Sequence, residues 1–354
     1  MNKKIVFTGG GTAGHVTPNI ALLPYLQKEG YDAFYIGSYN GIEKRLMEDF
    51  DVPYYGISTG KFRRYFDLKN LSDPFRVIKG YSQAVKILKE LKPDIVFSKG
   101  GFVSVPVVRA AASLKIPCII HESDMTPGLA NKLCIPVATK VCCNFPETTK
   151  YVPSGKAVLT GSPIRTELTT GSKLAALELC GFTANKPVVM VIGGSQGAAS
   201  VNVMVREALP KLLEEFQVVH ICGKDKVDNL MLTIPGYKQF EYLKSDLKDV
   251  FAMADVVVSR AGANAICELL ALKKPNLLIP LQMGTRGDQI LNARSFEEQG
   301  FSMAVREDFI DCDILTEKIK ELYENRQTYI DKMCESNQIN SIPTILELIK
   351  EYSA

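Results

Sequence analysis

The sequence predicts an α/β protein made of two doubly wound, Rossmann-like domains. Two observations support this prediction: short apolar runs rich in β-branched residues alternate with helical patterns, and this scheme occurs twice in 354 residues. Continuous apolar strands between helices are typical of parallel sheets covered on both faces. In such sheets, functional side chains are expected at the carboxyl ends of the strands.

The first half contains strand-like runs separated by helical patterns. We predict strands at residues 3–8, 32–37, 94–99, 117–122, 140–145 and 157–161. We predict helices at residues 18–29, 41–49, 74–91 and 104–114. Thr17 and Pro18 suit the N-cap and the first position of the first helix.

The second half repeats this order. We predict strands at residues 187–194, 217–223, 238–243, 255–262, 276–281 and 302–307. We predict helices at residues 200–216, 246–253, 263–272, 287–299 and 313–325. The domains are expected at residues 1–162 and 163–336, with a C-terminal helix in 337–354 that packs back on the first domain.

The composition is that of a globular protein, with 46% hydrophobic and 23% charged residues. No apolar run approaches the roughly 18 residues of a membrane span, and the N-terminus lacks the apolar core of a signal peptide, which predicts a cytoplasmic protein. Nine cysteines without a CxxC pair predict reduced, buried thiols. We predict no metal site, since only three histidines are present and none pairs with cysteine at ligand spacing.

Residues 61–92 form a basic segment, with nine lysines and arginines against three acids in a chain of net charge +3. Aromatic residues are interleaved with these cations, which favours docking on an anionic membrane surface. A solvated basic helix face is the alternative, and nucleic acid is disfavoured because no known binding module is present. The membrane candidates are Arg63, Arg64, Lys69, Phe75 and Lys79.

Each half opens with a strand and a glycine-rich loop, GGGTAGH at residues 9–15 and GGSQGA at residues 193–198. Such loops direct main-chain N–H groups at phosphates, although a tight turn without ligand is the alternative for the second. The first loop also matches GxGxxG, the glycine spacing of a dinucleotide-binding turn. The next strand, however, ends in Gly37-Ser38 without the acid that binds a ribose, so a nicotinamide site is disfavoured.

Two polar motifs in the second half predict a nucleotide-sugar site. In SRAGANAICE, Glu268 follows Asn264 by four residues, where a carboxylate can accept both ribose hydroxyls. A glutamate on a helix surface would be the default interpretation if this motif stood alone. The stretch GTRGDQILNARSF at residues 284–296 is rich in polar groups that suit sugar hydroxyls.

Seven motifs in order carry a resemblance to one family. They are FTGGGTAGHVTPN, FSKGGFVSVP, HESDMTPGLANK, GSPIR, GGSQGA, SRAGANAICE and RGDQILNAR. Across nearly the whole chain, the sequence resembles the MurG family, the UDP-N-acetylglucosamine transferases of peptidoglycan synthesis, in its Gram-positive form.

The resemblance implies a glycosyltransferase fold of the B type, in which two Rossmann-like domains face a cleft. The acceptor would lie on the first domain and UDP-GlcNAc mainly on the second. The implied reaction is inverting and independent of metal or other cofactors. It transfers GlcNAc to the C4 hydroxyl of the MurNAc-pentapeptide of lipid I, an undecaprenyl diphosphate, and gives lipid II. The implied place is the cytoplasmic face of the plasma membrane, with other cell-wall synthesis proteins as partners and a role in cell shape and division.

The resemblance also assigns binding residues by position. The first loop would approach the donor sugar or the acceptor diphosphate, and the second half would hold the rest of the donor. The residues assigned are Thr12, Ala13 and Gly14 in the first loop, Asp124 and Asn131 at the substrate, Arg165, Gly194, Ser195 and Gln196 at the donor diphosphate, Leu243 at uracil, Ala263, Asn264 and Glu268 around the nucleotide, and Gln289 at the sugar.

Four residues depart from the usual family pattern. Ala13 replaces a glycine of GGTGGH, Ser123 and Asp124 replace the glutamine and asparagine of HEQN, and Asp288 replaces one of two paired glutamines. The two aspartates bear on contacts with the sugar. An ionised aspartate accepts hydrogen bonds but does not donate them, which leaves these two sugar contacts open.

Inverting transfer needs a base for the acceptor hydroxyl and stabilisation of the departing UDP. His15 is the base candidate, because a helix N-terminus favours its neutral form. Alternatively, His15 only holds the acceptor, with Asp124 and Glu122 as rival bases. The amides of residues 193–197, the helix dipole and Arg165 would meet the charge on UDP.

Two other function hypotheses stay open on the sequence. One is a related lipid glycosyltransferase of the same fold with an acceptor such as diacylglycerol. The other is a protein that transfers nothing, either a UDP-sugar epimerase that acts without lipid or a nucleotide-binding module that holds UDP without turnover.

Overall fold

The computed structural model describes residues 2–60, 69–193, 197–282 and 287–353, with only the backbone for residues 69–72 and 74. The chain forms two compact units. The first comprises residues 1–165 together with 340–354, and the second comprises residues 166–339.

The first unit has a parallel sheet of seven described strands in the order β3-β2-β1-β4-β5-β6-β7. The strands are β1 (Lys3–Thr8), β2 (Tyr31–Ser38), β3 (Tyr54–Ile57), β4 (Ile95–Ser98), β5 (Cys118–Glu122), β6 (Lys140–Cys143) and β7 (Ala157–Leu159). The helices are α1 (Thr17–Lys28), α2 (Ile42–Met47), α3 (Lys69–Leu91), α4 (Ser104–Ser113), α5 (Leu129–Cys134) and, from the end of the chain, α13 (Ser341–Tyr352).

The second unit has a parallel sheet of six described strands in the order β10-β9-β8-β11-β12-β13. The strands are β8 (Val188–Ile192), β9 (Gln217–Ile221), β10 (Tyr237–Phe240), β11 (Val256–Ser259), β12 (Asn276–Leu278) and β13 (Met303–Ala304). The helices are α6 (Lys173–Cys180), α7 (Ala199–Glu215), α8 (Leu247–Met253), α9 (Ala263–Ala271), α10 (Asp288–Glu298), α11 (Cys312–Glu324) and α12 (Arg326–Cys334).

Both sheets are doubly wound, which confirms the predicted fold class. In the first unit β1 pairs with β2 on one side and β4 on the other, and in the second unit β8 pairs with β9 and β11. The strand order reverses at these two points, and ligands of such folds bind beyond the carboxyl ends of the strands there. The loops that follow β1 and β4 therefore lie side by side.

The strands are buried on both faces, as their uninterrupted apolar runs require. In β1, Val6 lies in the core beneath α3 and α4, whereas Ile5 and Phe7 lie in the opposite core with α1. Ile345 and Ile349 of α13 belong to that second core, so the end of the chain covers the sheet of the first unit.

Some elements differ from the sequence predictions. The edge strand β3 and the helices α5, α6 and α12 were not predicted, because these segments are short or lack a clear apolar period. Helix α1 begins at Thr17 with Val16 as its cap, and Thr17 Oγ1 donates to the carbonyl of Ala13 at 3.0 Å. The prediction of Thr17 as N-cap is therefore wrong by one residue. None of the described helices is long and apolar enough to cross a membrane.

Candidate active site

The loop that follows β1 ends in a single 3₁₀ turn, Ala13–His15, that leads into α1. Thr12 and Ala13 are exposed, whereas Gly14 and His15 are half-buried. Gly11 has a φ of +86°, a conformation that favours glycine. The loop thus presents the assigned residues Thr12, Ala13 and Gly14 together with His15 at the carboxyl end of the sheet.

The imidazole of His15 is oriented by its Nδ1 atom. This atom lies 3.0 Å from the carbonyl oxygen of Gly10 and 3.1 Å from the hydroxyl of Thr12. A carbonyl oxygen only accepts, so the proton of the neutral ring belongs on Nδ1. The Nε2 atom is then the one that can accept a proton.

The surroundings of His15 favour its neutral form. Burial is the largest cause that lowers the pKa of His15, and the positive charge of Lys99 lowers it further. The hydrogen bond to Gly10 and the negative charge of Glu43 act in the opposite direction. A histidine that acts as a base must be unprotonated near neutral pH, and the lowered pKa of His15 favours this unprotonated form.

The loop that follows β4 lies against the first glycine loop. The N–H of Gly10 donates to the carbonyl of Gly100 at 3.3 Å, and a Cβ atom on Gly101 would lie only 2.2 Å from the carbonyl oxygen of Gly10. Gly101 also has a φ of +86°. Glycine at position 101 is therefore required for the close approach of the two loops.

A cavity of about 220 Å³ opens beside His15 in the first unit. Main-chain glycines, three hydroxyl side chains, a carboxylate and an aromatic ring contribute to its wall. The lining residues are Gly10, Gly11, Thr12, His15, Ser38, Glu43, Thr59, Gly60, Gly101, Phe102 and Val103. Thr12 and His15 are predicted site residues, whereas the sequence predicts no role for Glu43 or Phe102.

The end of β5, the loop after it and the helix α5 carry three more assigned residues, Glu122, Asp124 and Asn131. Glu122 is buried; one of its carboxylate oxygens accepts from the N–H of Asp124 at 2.9 Å, and the other accepts from Gly128 N–H at 3.0 Å and Asn131 Nδ2 at 2.9 Å. Burial raises the pKa of Glu122 despite these hydrogen bonds. Glu122 therefore holds the loop of residues 123–128, whereas Asp124 is half-exposed on it.

Asn131 connects this loop to the glycine pair after β4. Its Nδ2 donates to the carbonyl of His121 at 3.1 Å as well as to Glu122, and a Cβ atom on Gly100 would lie 3.3 Å from its amide atoms. Its Oδ1 is buried and has no hydrogen-bond partner among the described residues. The structure thus brings Asn131 next to the loops that hold His15.

Lys99 is a buried cation at the centre of this region, with a 1% exposed side chain. Its Nζ lies 2.7 Å from His121 Nδ1, 2.7 Å from Ser123 Oγ and 3.3 Å from Ser162 Oγ. His121 donates through Nε2 to the carbonyl of Gly161 at 2.9 Å, and burial followed by the charge of Lys99 holds its pKa well below the usual value. His121 thus connects Lys99 to the loop at Gly161, and Lys99 is a further site residue that the sequence did not single out.

In the second unit, the loop that follows β8 is described only at its ends, and Gly194, Ser195 and Gln196 lie outside the described residues. A Cβ atom on Gly193 would lie 2.5 Å from the N of Ala198, and one on Gly197 would lie 2.0 Å from the carbonyl oxygen of Cys222. Both ends of the loop therefore require glycine. Helix α7 follows at Ala199, with its positive N-terminal end next to this loop.

The other assigned residues of the second unit lie at the carboxyl end of its sheet. Ala263, Asn264 and Glu268 are half-buried on the first two turns of α9, directly after β11. Gln289, at the start of α10, accepts from Leu281 N–H at 3.0 Å through Oε1. Leu243 follows β10 with a buried side chain. These assigned residues thus follow β10, β11 and β12 along the chain, and of these strands β11 and β12 are neighbours in the sheet.

Arg165 is the last residue of the N-terminal segment of the first unit, directly before the second unit begins at residue 166. Its Nε is buried and has no hydrogen-bond partner within the described part of the chain.

A half-buried ion pair that the sequence did not indicate supports the start of α7. Arg260 contacts Glu307 through both of its terminal nitrogens, at 3.1 Å and 2.9 Å, and also donates to Ser200 Oγ at 3.0 Å. The hydrogen bonds from Arg260 are the largest cause that lowers the pKa of Glu307. A bidentate, partly buried pair of this kind fixes geometry as well as charge.

The membrane candidates are described only in part. Arg63 and Arg64 lie outside the described residues, and of Lys69 only the backbone at the start of α3 is described. Phe75 is 75% exposed, Ile78 is 62% exposed, and Lys79 is exposed on the same helix. Beside them is an apolar cavity of about 300 Å³, lined by Gly60, Asp73, Val77, Ile78, Phe102, Val105, Leu129 and Leu133.

No group of three or more metal-ligating side chains occurs in the described parts of the chain.

Comparison with known proteins places this geometry in a family. Residues 5–143 match the glycosyltransferase family 28 N-terminal domain, and residues 188–349 match the family 28 C-terminal domain. The chain is 64% identical to a protein of Lachnospira eligens and 59% identical to one of Lachnoclostridium phytofermentans, with 99% of each chain covered in both cases. Both relatives are named UDP-N-acetylglucosamine--N-acetylmuramyl-(pentapeptide) pyrophosphoryl-undecaprenol N-acetylglucosamine transferase.

A solved structure agrees with these relatives. The crystal structure of MurG from Acinetobacter baumannii superposes with a TM-score of 0.79 at 27% identity, with 99% of both chains covered. The resemblance to the MurG family that the seven motifs carry is thereby confirmed. The chain belongs to glycosyltransferase family 28.

Proposed function

We propose that this glycosyltransferase transfers GlcNAc from UDP-GlcNAc to the MurNAc C4 hydroxyl of lipid I and so makes lipid II for peptidoglycan synthesis. Relatives 56 to 64% identical over 99% of their length, which carry the name of this transferase, support the donor and the acceptor. The single observation that carries the chemistry is the geometry of His15, whose Nδ1 is bonded to the Gly10 carbonyl beside a cavity of about 220 Å³.

In this reaction His15 Nε2 takes the proton of the acceptor hydroxyl. The hydroxyl oxygen forms a bond to C1 of GlcNAc while the bond from C1 to the UDP oxygen breaks, and its electron pair leaves with UDP. A single displacement of this kind inverts the anomeric configuration. Glu122 is a weaker base candidate, since both its oxygens already accept hydrogen bonds from the loop of residues 123–128. Asp124 is a rival base and a contact for the acceptor sugar.

The departing UDP needs positive partners. Residues Gly194–Gln196 and the N-terminal end of α7 would meet the diphosphate, together with Arg165. Glu268 would accept the ribose hydroxyls, Ala263 and Asn264 would line the nucleotide, Leu243 would meet uracil, and Gln289 would hold the sugar. Because these groups supply the charge, we propose that transfer proceeds without a metal ion; undiminished transfer in excess EDTA is the expected result.

The acceptor is lipid-linked, so we propose that the enzyme attaches peripherally to the cytoplasmic face of the plasma membrane. The exposed Phe75 and Ile78, with Lys79 on the same helix, support this attachment. Apolar side chains enter the interface while cations are attracted by anionic lipids.

The decisive experiment incubates the purified chain with radiolabelled UDP-GlcNAc and a short-chain lipid I analogue. We expect labelled lipid II, and parallel reactions with diacylglycerol or without lipid should give neither a labelled lipid nor an epimerised sugar nucleotide. Labelled diacylglycerol would favour the related lipid transferase, an epimerised nucleotide would favour the epimerase, and UDP binding without any product would favour a binding module.

A further inference from the structure

Glu43 is a buried carboxylate that the proposed reaction leaves without a role. It lies on the first turn of α2, is 1% exposed, and lines the same cavity as His15. An acid in the first turn of a helix is common, because it interacts favourably with the helix dipole. The helix dipole alone does not explain why this carboxylate is completely buried beside a candidate base.

The carboxylate of Glu43 joins two loops. Its Oε1 accepts from the N–H of Ser38 at 3.0 Å and from the hydroxyl of Ser38 at 2.5 Å, so it is bound to the end of β2. Its Oε2 accepts from the N–H of Gly11 at 3.2 Å. A carboxylate with both oxygens occupied in this way holds its partners more firmly than a neutral acceptor would.

Three glycines make the room that this carboxyl group occupies. A Cβ atom on Gly10 would lie 2.5 Å from the carboxyl carbon of Glu43, and one on Gly41 would lie 2.3 Å from it. A Cβ atom on Gly37 would lie 2.9 Å from Cγ of the same side chain. The backbone is therefore closely fitted around one side chain.

The two ends of a single peptide group connect Glu43 to His15. The N–H of Gly11, which donates to Glu43, and the carbonyl of Gly10, which accepts from His15 Nδ1, belong to the same planar peptide unit. Because that unit is rigid, holding its N–H also fixes the direction of its carbonyl. We propose that Glu43 is a positioning residue for the transfer reaction, and that it sets the orientation of His15 through the Gly10–Gly11 peptide.

This inference rests on the proposed function, and its test separates two effects of Glu43. The length of the Glu43 side chain lets its carboxylate orient the Gly10–Gly11 peptide. Its negative charge raises the pKa of His15 and so favours the protonated form, whereas burial and the charge of Lys99 lower that pKa. Glu43→Gln removes the charge and places an amide NH₂ group, which only donates, against the donor groups of Ser38 and Gly11. Glu43→Asp keeps the charge but is one methylene too short to bridge Ser38 and Gly11.

The experiment compares the two Glu43 variants with wild type and with Glu48→Gln, an exposed glutamate at the end of the same helix. Turnover with the lipid I analogue is measured across the pH range, UDP-GlcNAc affinity by calorimetry, and folding by thermal melting. We expect both Glu43 variants to lose about 10-fold or more in kcat, with UDP-GlcNAc affinity unchanged, since the assigned donor residues lie mainly in the other unit. Glu48→Gln should behave as wild type.

The pH profile distinguishes positioning from a general loss of structure. Without the negative charge, the pKa of His15 falls, so the acid limb of the profile should move to lower pH in Glu43→Gln and stay in place in Glu43→Asp. A kcat within about twofold of wild type in both variants would overturn the inference. An acid limb at the same pH in both variants would also overturn it. Loss of UDP-GlcNAc binding or of the melting transition in Glu43→Asp would also overturn it, since the role would then be structural. A wild-type chain that transfers nothing would instead refute the proposed function.

Discussion

The Nδ1 atom of His15 lies 3.0 Å from the carbonyl oxygen of Gly10, five residues earlier in the same loop. This hydrogen bond selects one tautomer of the ring, because a carbonyl accepts and never donates. The atom that remains available to a substrate hydroxyl is Nε2. The glycine loop thus orients a histidine, in addition to any contact that its amides make with a ligand.

Removal of the imidazole is the first test of this arrangement. We expect His15→Ala to lower kcat by about 10²-fold or more, because general-base assistance has this magnitude. UDP-GlcNAc affinity, measured by calorimetry, should change little, because the assigned nucleotide residues lie in the second unit. Turnover close to that of wild type would show that His15 is not the base, and a raised KM for lipid I alone would show that it only holds the acceptor.

A second prediction concerns Gly101, whose missing side chain admits the Gly10 carbonyl. An added Cβ would lie 2.2 Å from that oxygen at a φ of +86°, so Gly101→Ala must displace the partner of His15. We expect a loss in kcat of about 10-fold or more. The matched control is Gly155→Ala, at a φ of +79° with nothing within 4 Å of the added atom, which should cost about 1 kcal/mol of unfolding free energy and no turnover. Equal kcat values in the two variants would contradict the role of Gly101.

A third prediction concerns the charge of Lys99. Its ammonium is the second largest cause of the lowered pKa of His15, after burial. In Lys99→Met the pKa of His15 should rise, so the base is protonated at higher pH and the acid limb of the kcat profile moves to higher pH. This direction is opposite to that expected for Glu43→Gln. The measurement is the pH dependence of turnover with the lipid I analogue.

The control for Lys99 is an exposed lysine of the same unit, Lys150→Met, which should leave the profile unchanged. Loss of the buried donors to His121, Ser123 and Ser162 should also lower the unfolding free energy by about 1–3 kcal/mol. If the acid limb of Lys99→Met stays where wild type has it, then Lys99 acts on the structure of the loops alone.

Sequence patterns predict the central strands of both sheets but not every edge strand and not all the residues of the site. Apolar runs such as 3–8 and 217–223 match β1 and β9 closely, since a buried parallel strand leaves little choice of residue type. The four-residue edge strand β3 has no such run, and its pairing with β2 depends on the rest of the sheet. Elements whose stability comes from tertiary contacts are not visible in local periodicity.

The same distinction holds for the site. His15 and Glu122 could be singled out because motifs surround them, whereas Glu43 stands in a stretch without a motif. Its importance arises from three glycines, one of them six residues before it and another in a different loop, that come together only in the folded unit. Lys99 lies within the motif FSKGGFVSVP, but its burial against His121, Ser123 and Ser162 depends on segments at the ends of β4, β5 and β7 that meet only in the folded unit. The signal that the sequence offers for Lys99 is its position directly after an apolar strand, at the end of the sheet where functional side chains are expected.

A last prediction addresses membrane attachment. Phe75 and Lys79 lie one helical turn apart on α3 and are both exposed, so they can enter the interface together. We expect the double variant Phe75→Ser with Lys79→Gln to bind anionic vesicles about 10-fold more weakly, because each cation near such a surface contributes roughly 1 kcal/mol and the ring adds buried apolar area. The measurement is co-sedimentation with vesicles of phosphatidylglycerol and phosphatidylethanolamine. The control pair is Lys150→Gln with Tyr151→Ser, an exposed cation and ring elsewhere on the first unit. If both double variants bind as wild type does, or lose affinity equally, α3 is not the attachment surface and its cations are an ordinary solvated face.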